Sequence, residues 1–351
     1  MAALLDFTQF TFSDEEVRSV NELVMEEMIK SPELNLIHTI FPNIKIDKEV
    51  GFIGAGGLVG KARQGCDPVA QAWNIGSRML KWTPADWEIL IHDCYIDLKS
   101  TAAVYSLKTG VAQPDFTNTD YMAIVVEVLA LAMKEMVWRI VWFSDVAAAD
   151  IAGGGVLKNG TDEDYFNLID GLWKQIIVQY TAVPAQLTAI TQNAGATYAL
   201  QALPASAVQA YLSSLVYTAP MELRNMADAF IVSTQSVYDA YEQSLVGLTI
   251  ESMYTNLVNG QRTLKFNGIP VIPIPAWDKM IRTYYDNGTT WYKPHRALYT
   301  TKRVLGIGID DPKELSELAI WYDRDSRKVK MEGMGTIDSK LMNPAYFQVA
   351  M

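Results

Sequence analysis

The stretch AFIVSTQSVYDAYEQSL, residues 229–245, decides the class of fold. Its first five residues form a mostly apolar run that predicts a short strand. Val237, Tyr241 and Leu245 then recur every four residues, which places them on one face of a helix. Because a strand passes directly into an amphipathic helix, the stretch predicts a mixed architecture of sheets and helices.

The sequence that follows continues this alternation. Residues 263–275 read TLKFNGIPVIPIP, and Asn267-Gly268 within them is typical of a tight turn between two antiparallel strands. Further elements are predicted beyond this turn: a helix over residues 276–285, a strand over residues 296–301, and a hairpin that turns at residues 323–326. The fold class predicted from the whole pattern is α+β.

Helical patterns precede the opening stretch. They are an acidic amphipathic helix that Ser13 begins, a long helix over residues 119–143, a helix that Thr161-Asp162-Glu163-Asp164 cap and that continues through Ile176, and a helix over residues 204–216. In the third of these, Tyr165, Leu168, Leu172 and Ile176 are expected on one face. The second is apolar but contains Glu127, Lys134, Glu135 and Arg139, so it predicts a buried helix and no membrane contact.

A long excursion is predicted between a strand over residues 43–53 and a strand over residues 86–98. It contains GFIGAGGLVGK, residues 51–61, which has five glycines and ends in a lysine. A dinucleotide-binding loop requires a third glycine where Val59 stands, and a Walker loop requires a glycine where Ala55 stands. The segment is therefore predicted to be a pliable loop and no phosphate-binding site.

Composition limits the classes of function. The chain has 351 residues, of which 50% are hydrophobic and 20% are charged, so a large folded core is expected. Its formal net charge of −11 argues against a nucleic-acid-binding protein, which needs a basic face to neutralise phosphates. The two cysteines, Cys66 and Cys94, form no disulfide framework and suit a reducing compartment, although one bridge remains open.

Candidate catalytic groups are few. The chain has three histidines, and none stands at a metal-binding spacing from another. His92 and Cys94 share one face of the predicted strand over residues 86–98, which leaves open a Cys–His pair, but a half-buried structural strand is favoured. We predict no catalytic, cofactor-binding or metal-binding residue and no enzyme, whereas nine Trp, seventeen Tyr and fifteen Met favour an assembling protein.

The order of elements resembles the major capsid protein of tailed bacteriophages, which has the Hong Kong 97-type fold that herpesvirus shells and encapsulin compartments share. The resemblance is carried by an ordered set of segments: IDGLWKQI (169–176), AFIVSTQSVYDAYEQSL (229–245), KFNGIPVIPIPAW (265–277), ALYTTKRVLGIGID (297–310) and MNPAYFQVAM (342–351). The N-terminal third matches mainly in its order of acidic arm, extended loop and spine helix.

This resemblance implies five regions: an N-terminal arm (residues 1–42), an extended β-hairpin loop (43–100), a spine helix with the peripheral domain (101–200), an axial domain (201–330), and C-terminal strands that return to the peripheral domain (331–351). It also implies self-assembly into pentamers and hexamers of an icosahedral head, which encloses double-stranded DNA without sequence-specific binding. The protein would be located in the virion capsid after assembly in the cytoplasm of a bacterial host. Portal, scaffolding or accessory head proteins are the further partners implied.

Two alternatives remain open. The first is the shell of an encapsulin-like compartment, because encapsulins share the fold. The second, less favoured, is a cytosolic nucleotide-binding enzyme that uses residues 51–61. Some relatives crosslink subunits through Lys–Asn bonds, but the sequence identifies no partner for a lysine such as Lys61, so no residue is assigned to that reaction.

Overall fold

The computed structural model describes residues 32–44, 49–53, 77–94, 132–246, 254–256, 262–310, 319–323 and 328–351. The helices of these residues are α1 (Pro32–Ile37), α2 (132–143), α3 (Leu172–Ala182), α4 (Ala205–Tyr217), α5 (Met221–Arg224), α6 (Gln235–Leu245) and α7 (Pro275–Tyr284). The strands are β1 (Thr39–Phe41), β2 (Glu49–Ile53), β3 (Ser77–Lys81), β4 (Ala85–Cys94), β5 (Leu187–Thr188), β6 (Ala229–Ser233), β7 (Tyr254–Asn256), β8 (Arg262–Phe266), β9 (Ile269–Pro273), β10 (Ala297–Thr301), β11 (Leu305–Ile309), β12 (Ala319–Asp323), β13 (Lys328–Leu341) and β14 (Phe347–Ala350).

A seven-stranded sheet has the order β5-β14-β10-β6-β9-β8-β7. All residues of its central strands β6 and β10 are buried, because helices cover both of its faces. Ile231 packs into a cluster with residues of α4 and α6, whereas the next residue, Val232, packs into a cluster with residues of α2, α3 and α7. This double burial explains why β6 is a continuous apolar run and not an alternating one.

The stretch over residues 229–245 folds as predicted. Strand β6 and helix α6 occupy it, and Val237, Tyr241 and Leu245 are all buried on the face that α6 turns towards the sheet. The predicted turn at Asn267-Gly268 is also confirmed. Both residues have positive φ, 49° and 82°, which is the backbone that a two-residue turn between twisted strands requires.

A five-stranded sheet forms around the long strand β13. Strands β1, β11, β13 and β12 lie in that order, and β4 also pairs with β13. Lys328 pairs with both Cys94 of β4 and Asp323 of β12, so β13 lies between these two strands. The antiparallel pairing of β12 and β13 confirms the predicted C-terminal hairpin, whose turn at 324–327 lies outside the described residues.

Three tryptophans from three helices form the centre of the larger core cluster. Trp142 of α2, Trp173 of α3 and Trp277 of α7 have ring centroids 4.5–5.3 Å apart and are at most 2% exposed. Their mutual packing fixes these helices against one another, because large aromatic rings bury much area in edge-to-face contacts. The part of the predicted helix over 119–143 that the structure describes is helical, and its first residues lie outside the described ranges.

The predicted helix through residues 161–176 is wrong in its first half. Asp162 accepts a hydrogen bond from the Asp164 backbone, but it caps only one 3₁₀ turn, and α3 begins later, at Leu172. The cause is tertiary: the Gly171 N–H donates to the Ser144 carbonyl at 2.8 Å, and a Cβ at residue 171 would lie 2.9 Å from that oxygen. This close contact holds Gly171 in extended backbone, which separates the turn from the helix.

Sheet membership differs from the grouping in the predicted regions. Strands β11 and β12, from the range assigned to an axial domain, join the five-stranded sheet with β13. Strand β14 pairs with β10 and β5, so the C-terminal residues 347–350 join the seven-stranded sheet. The predicted N-terminal helix that begins at Ser13 lies outside the described residues, and the five regions stay predictions as domains.

Candidate functional site

The described ends of the predicted excursion pair with each other. Strand β2 is antiparallel to β3, with Gly51 opposite Met79, and these two strands form a sheet of their own. The chain therefore returns at residues 77–81, before the predicted strand over 86–98, which corresponds to β4. Gly51 is exposed, and a Cβ added to it would meet no atom within 4 Å. Residues 54–61, including Lys61, and Cys66 lie outside the described residues.

The base of this hairpin is fixed by an aromatic contact. Trp82 follows β3 directly, is 1% exposed, and packs in a small cluster with Ile44 and Met342. Its ring lies against Gly308 of β11, where a Cβ would be 2.9 Å from the ring and 2.5 Å from Ile44 Cδ1. Only a residue without a side chain leaves room for the indole, so Gly308 and Trp82 together determine where the hairpin leaves the five-stranded sheet.

A buried carboxyl group adds a polar anchor at the same place. Asp338 of β13 is 1% exposed and accepts hydrogen bonds from the backbone N–H groups of Thr83 and Ser339, both at 2.8 Å. Lys340 Nζ lies 3.6 Å from the Asp338 carboxylate and donates to Thr83 Oγ1 at 2.8 Å. Burial raises the pKa of Asp338, and the nearby Lys340 partly offsets this. These bonds tie the end of the hairpin to β13.

The outer face of the five-stranded sheet carries exposed apolar groups. Leu90 is 61% exposed and stands opposite Glu332, while Met334 is 50% exposed and stands opposite Glu88. The other face is buried at Trp87. The alternation predicted for this strand is therefore present, but at Leu90 its apolar face points away from the core. Exposed apolar side chains rimmed by charge are typical of protein interfaces.

A second exposed apolar surface lies where α4, α5 and the β8–β9 turn meet. Tyr217 at the end of α4 is 60% exposed, and Met221 at the start of α5 is 66% exposed. The Asn267 side chain, in the turn between β8 and β9, donates a hydrogen bond to the Tyr217 hydroxyl at 3.1 Å. This bond fixes the ring at the surface, where an amphipathic residue such as Tyr suits a contact with another protein.

A polar cluster lies between α6, α7 and the segment before β10. Ser236 Oγ is 2.8 Å from His295 Nδ1, an arrangement that resembles the nucleophile and base of a hydrolase. At this serine, however, the helix N–H groups that could stabilise an oxyanion already donate elsewhere, because those of Gln235 and Ser236 are bonded to the Asp278 carboxylate. The cluster therefore has the geometry of a structural network.

The structure describes the backbone of the predicted Cys–His pair but not its side chains. His92 and Cys94 lie in β4, opposite Lys330 and Lys328 in the register with β13, but their side chains lie outside the described set. The described residues hold no group of three or more His, Cys, Asp or Glu that could bind a metal ion. Among the described helices, none has the length and apolar character that crossing a bilayer requires.

Two contacts of these regions were not predicted from the sequence: that between Gly308 and Trp82, and that between Ser236 and His295. Gly308 and Trp82 are far apart in the chain, and only the glycine-rich pattern LGIGI of β11 hinted at a close contact. His295 and Ser236 gave no signal, because nothing in the spacing of a histidine and a serine separated by more than fifty residues indicates a contact.

The sequence matches no protein-family model and no curated protein. Solved structures are nevertheless similar. One from Gordonia phage Cozz aligns with a TM-score of 0.50 at 11% identity, over 99% of this chain and 91% of that one. A satellite phage P4 procapsid chain gives 0.49 at 10% identity, over 92% and 98%, and Mycobacterium phage Ogopogo gives 0.49 at 10%, over 90% of each. The likeness to Gordonia phage Cozz confirms the predicted α+β fold of tailed-phage capsid proteins.

Proposed function

We propose that this chain is the major capsid protein of a tailed bacteriophage, whose copies form the pentamers and hexamers of an icosahedral head around double-stranded DNA. The observation that carries the proposal is the fold, which aligns over 99% of the chain with a solved phage structure. The role is structural: contacts between copies close into rings, and rings tile a shell. Portal, scaffolding and accessory head proteins, and assembly in a host cytoplasm, belong to this proposal.

The hairpin β2–β3 has its own role in this proposal, separate from that of the two larger sheets. We assign it to the extended loop that reaches a neighbouring copy, because it pairs with no other described strand and the side chain of Met79 in β3 is 67% exposed. Its base is held by Trp82 and Asp338, and the sequence between its two strands includes the glycine-rich residues 54–61. A fixed base with a glycine-rich tip lets one sequence meet neighbours in several orientations.

We assign the two larger sheets to the two proposed domains. The peripheral domain comprises α2 and the five-stranded sheet, and the exposed Leu90 and Met334 lie on its outer face. The axial domain comprises the seven-stranded sheet with α4 and α6, and its exposed Tyr217 and Met221 would contact the adjacent copy in a ring. Many modest contacts of this kind add up once a ring closes.

The purified protein, examined by electron microscopy over a range of concentrations, tests the proposal. We expect capsomer rings or closed shells. A protein that stays monomeric at every concentration, without rings or sheets, contradicts the proposal. Neighbouring genes then distinguish the kind of shell: a terminase and a portal indicate a phage, whereas a cargo enzyme indicates an encapsulin-like compartment.

The loop assignment has its own test. Deletion of residues 54–65 removes the glycine-rich tip and leaves β2 and β3 intact, so the subunit is expected to fold with unchanged circular dichroism but to assemble poorly. Normal shells from this variant rule out the assigned role of the loop without affecting the proposal that the chain forms a shell.

A further inference from the structure

The segment between α3 and α4 is fastened to the segment before β10 by two side-chain amides. Asn193 accepts a hydrogen bond from the His295 backbone N–H at 2.9 Å and donates to the His295 carbonyl at 2.8 Å. Gln201, 2% exposed, does the same with Trp291: it accepts from the N–H at 2.9 Å and donates to the carbonyl at 2.8 Å. Each side-chain amide therefore pairs with both the N–H and the C=O of one residue, as a neighbouring strand does in a sheet.

The imidazole of His295 completes the connection. Its Nε2 lies 2.5 Å from the Gln201 carbonyl oxygen, which can only accept, so Nε2 carries the hydrogen. In the neutral ring, Nδ1 is then the acceptor for the Ser236 hydroxyl at 2.8 Å. The ring thus joins the α3–α4 segment to the first turn of α6, and it is 6% exposed.

The position of this network gives it mechanical importance. Helix α3 packs in the core cluster that contains Trp142 and Trp277, whereas α4 packs in the other cluster, on the opposite face of the seven-stranded sheet. The segment that connects α3 and α4 therefore links the two clusters. Its attachment to the residues before β10 limits how far the two can shift relative to each other.

The surroundings of His295 favour its neutral form. A cavity of about 290 Å³ adjoins the ring, and the charged groups that line it are Asp239 on α6 and Asp278 and Arg282 on α7. The titratable Tyr198 lines it from the α3–α4 segment. Burial lowers the pKa of His295, and the Arg282 guanidinium lowers it further, while the hydrogen bond to Gln201 acts in the opposite direction. Both Asp278 oxygens accept backbone hydrogen bonds at the start of α6.

We propose that Asn193, Gln201, His295 and Ser236 form an acid-sensitive latch, which holds the α3–α4 segment closed at neutral pH and releases it in acid. Protonation places a hydrogen on Nδ1, so the Ser236 hydroxyl must turn from donor to acceptor for the contact to persist. It also adds a cation at a buried site that Arg282 lines, where both oxygens of the nearby Asp278 already accept backbone hydrogen bonds. The open form takes up the proton near the ordinary pKa of 6.5, whereas burial lowers the pKa of His295 in the closed form, so opening becomes more favourable as the pH falls below 6.5. The inference concerns the single subunit and does not rest on the proposed function.

Hydrogen exchange measured by mass spectrometry on the full-length chain tests the latch. After correction for intrinsic exchange rates, peptides that cover residues 190–203 and 291–296 are expected to exchange faster at pH 5.5 than at pH 7.5. About tenfold is the upper limit, which is reached if only the open form takes up the proton one pH unit below the ordinary pKa. Peptides from β10 and β11, away from the latch, should keep their protection. Unchanged protection of residues 190–203 over this range overturns the proposal.

Three variants locate the effect. In His295→Gln the side chain does not titrate, so the acid response of residues 190–203 should disappear. His38→Gln is the matched control: His38 is also buried, but it contacts Trp138 and Trp142, so the acid response should remain. If His295→Gln does not fold, Ser236→Ala removes the bond to Nδ1 and should raise exchange of residues 190–203 already at pH 7.5. An acid response that persists in His295→Gln, or no increase in Ser236→Ala, contradicts the latch.

Discussion

The contact between Gly308 and Trp82 makes a quantitative prediction about Gly308→Ala. The new methyl group would lie 2.5 Å from Ile44 Cδ1 and 2.9 Å from the Trp82 ring, well inside van der Waals contact. Neither neighbour can withdraw into solvent, because Ile44 is 0% and Trp82 1% exposed. The backbone cannot retreat either, since β11 is paired on one side with β1 and on the other with β13.

Overpacking of this kind costs about 1–3 kcal/mol, which is roughly a 5- to 150-fold change in the folding equilibrium. Urea unfolding followed by tryptophan fluorescence measures it, because Trp82 lies at the contact. Since the hairpin leaves the sheet at this point, assembly counted by electron microscopy should decline along with stability.

Two other glycines serve as controls for the same substitution. Gly306→Ala lies in the same strand, and its methyl group would lie 2.9 Å from Cγ and Sδ of Met342. Because a Met side chain adapts its shape more easily than an indole, this substitution should cost less than Gly308→Ala. Gly51→Ala meets no atom within 4 Å and should change stability by less than about 0.5 kcal/mol. If Gly308→Ala is no less stable than Gly306→Ala, the reasoning that the indole requires a glycine at this position is refuted.

Three further substitutions test the core, the surface and the proposed interface. Trp277→Ala removes a ring packed 4.5 Å from Trp142 and should lower the unfolding free energy by about 3–5 kcal/mol in urea titrations. Lys279→Ala breaks the ion pair with Glu135, whose side chains are 59% and 46% exposed, so its cost should be under about 1 kcal/mol and should vanish in high salt. Met221→Ser replaces a 66% exposed side chain, so thermal stability should stay unchanged. Assembly followed by light scattering should decrease, because the side chain lies in the proposed interface. If the variant assembles as well as the original protein, that surface is not part of the interface.

The parts of the fold that the sequence predicted correctly are those that local chemistry determines. Strand β6 and helix α6 follow from an apolar run and a four-residue repeat, and the β8–β9 turn follows from the tolerance of Asn267 and Gly268 for positive φ. None of these requires knowledge of what packs against them. The order of such elements was sufficient to indicate the fold, and the structural likeness confirms it.

The parts that the sequence did not predict depend on residues far apart in the chain. Helix α3 begins late because Gly171 contacts the Ser144 carbonyl, and the capping pattern before it carries no trace of that contact. The partner of β2 is β3, which was not distinguished from the longer and more regular strand β4. In each case a tertiary contact selected between two locally acceptable structures.

The exposed apolar side chains show why candidate interfaces are the least predictable part of this chain. An alternating strand such as β4 is normally taken to face its apolar side inward, yet Leu90 is 61% exposed while Trp87, on the other face, is buried. The alternation is the same whether its apolar face meets the core of the same subunit or the surface of a neighbouring one. Sequence periodicity therefore identifies a buried face without identifying the molecule that buries it. In the proposed shell this distinction separates the core from the contacts between copies, and the exposure of Leu90 and Met334 on the outer side of β4 and β13 assigns them to the second group.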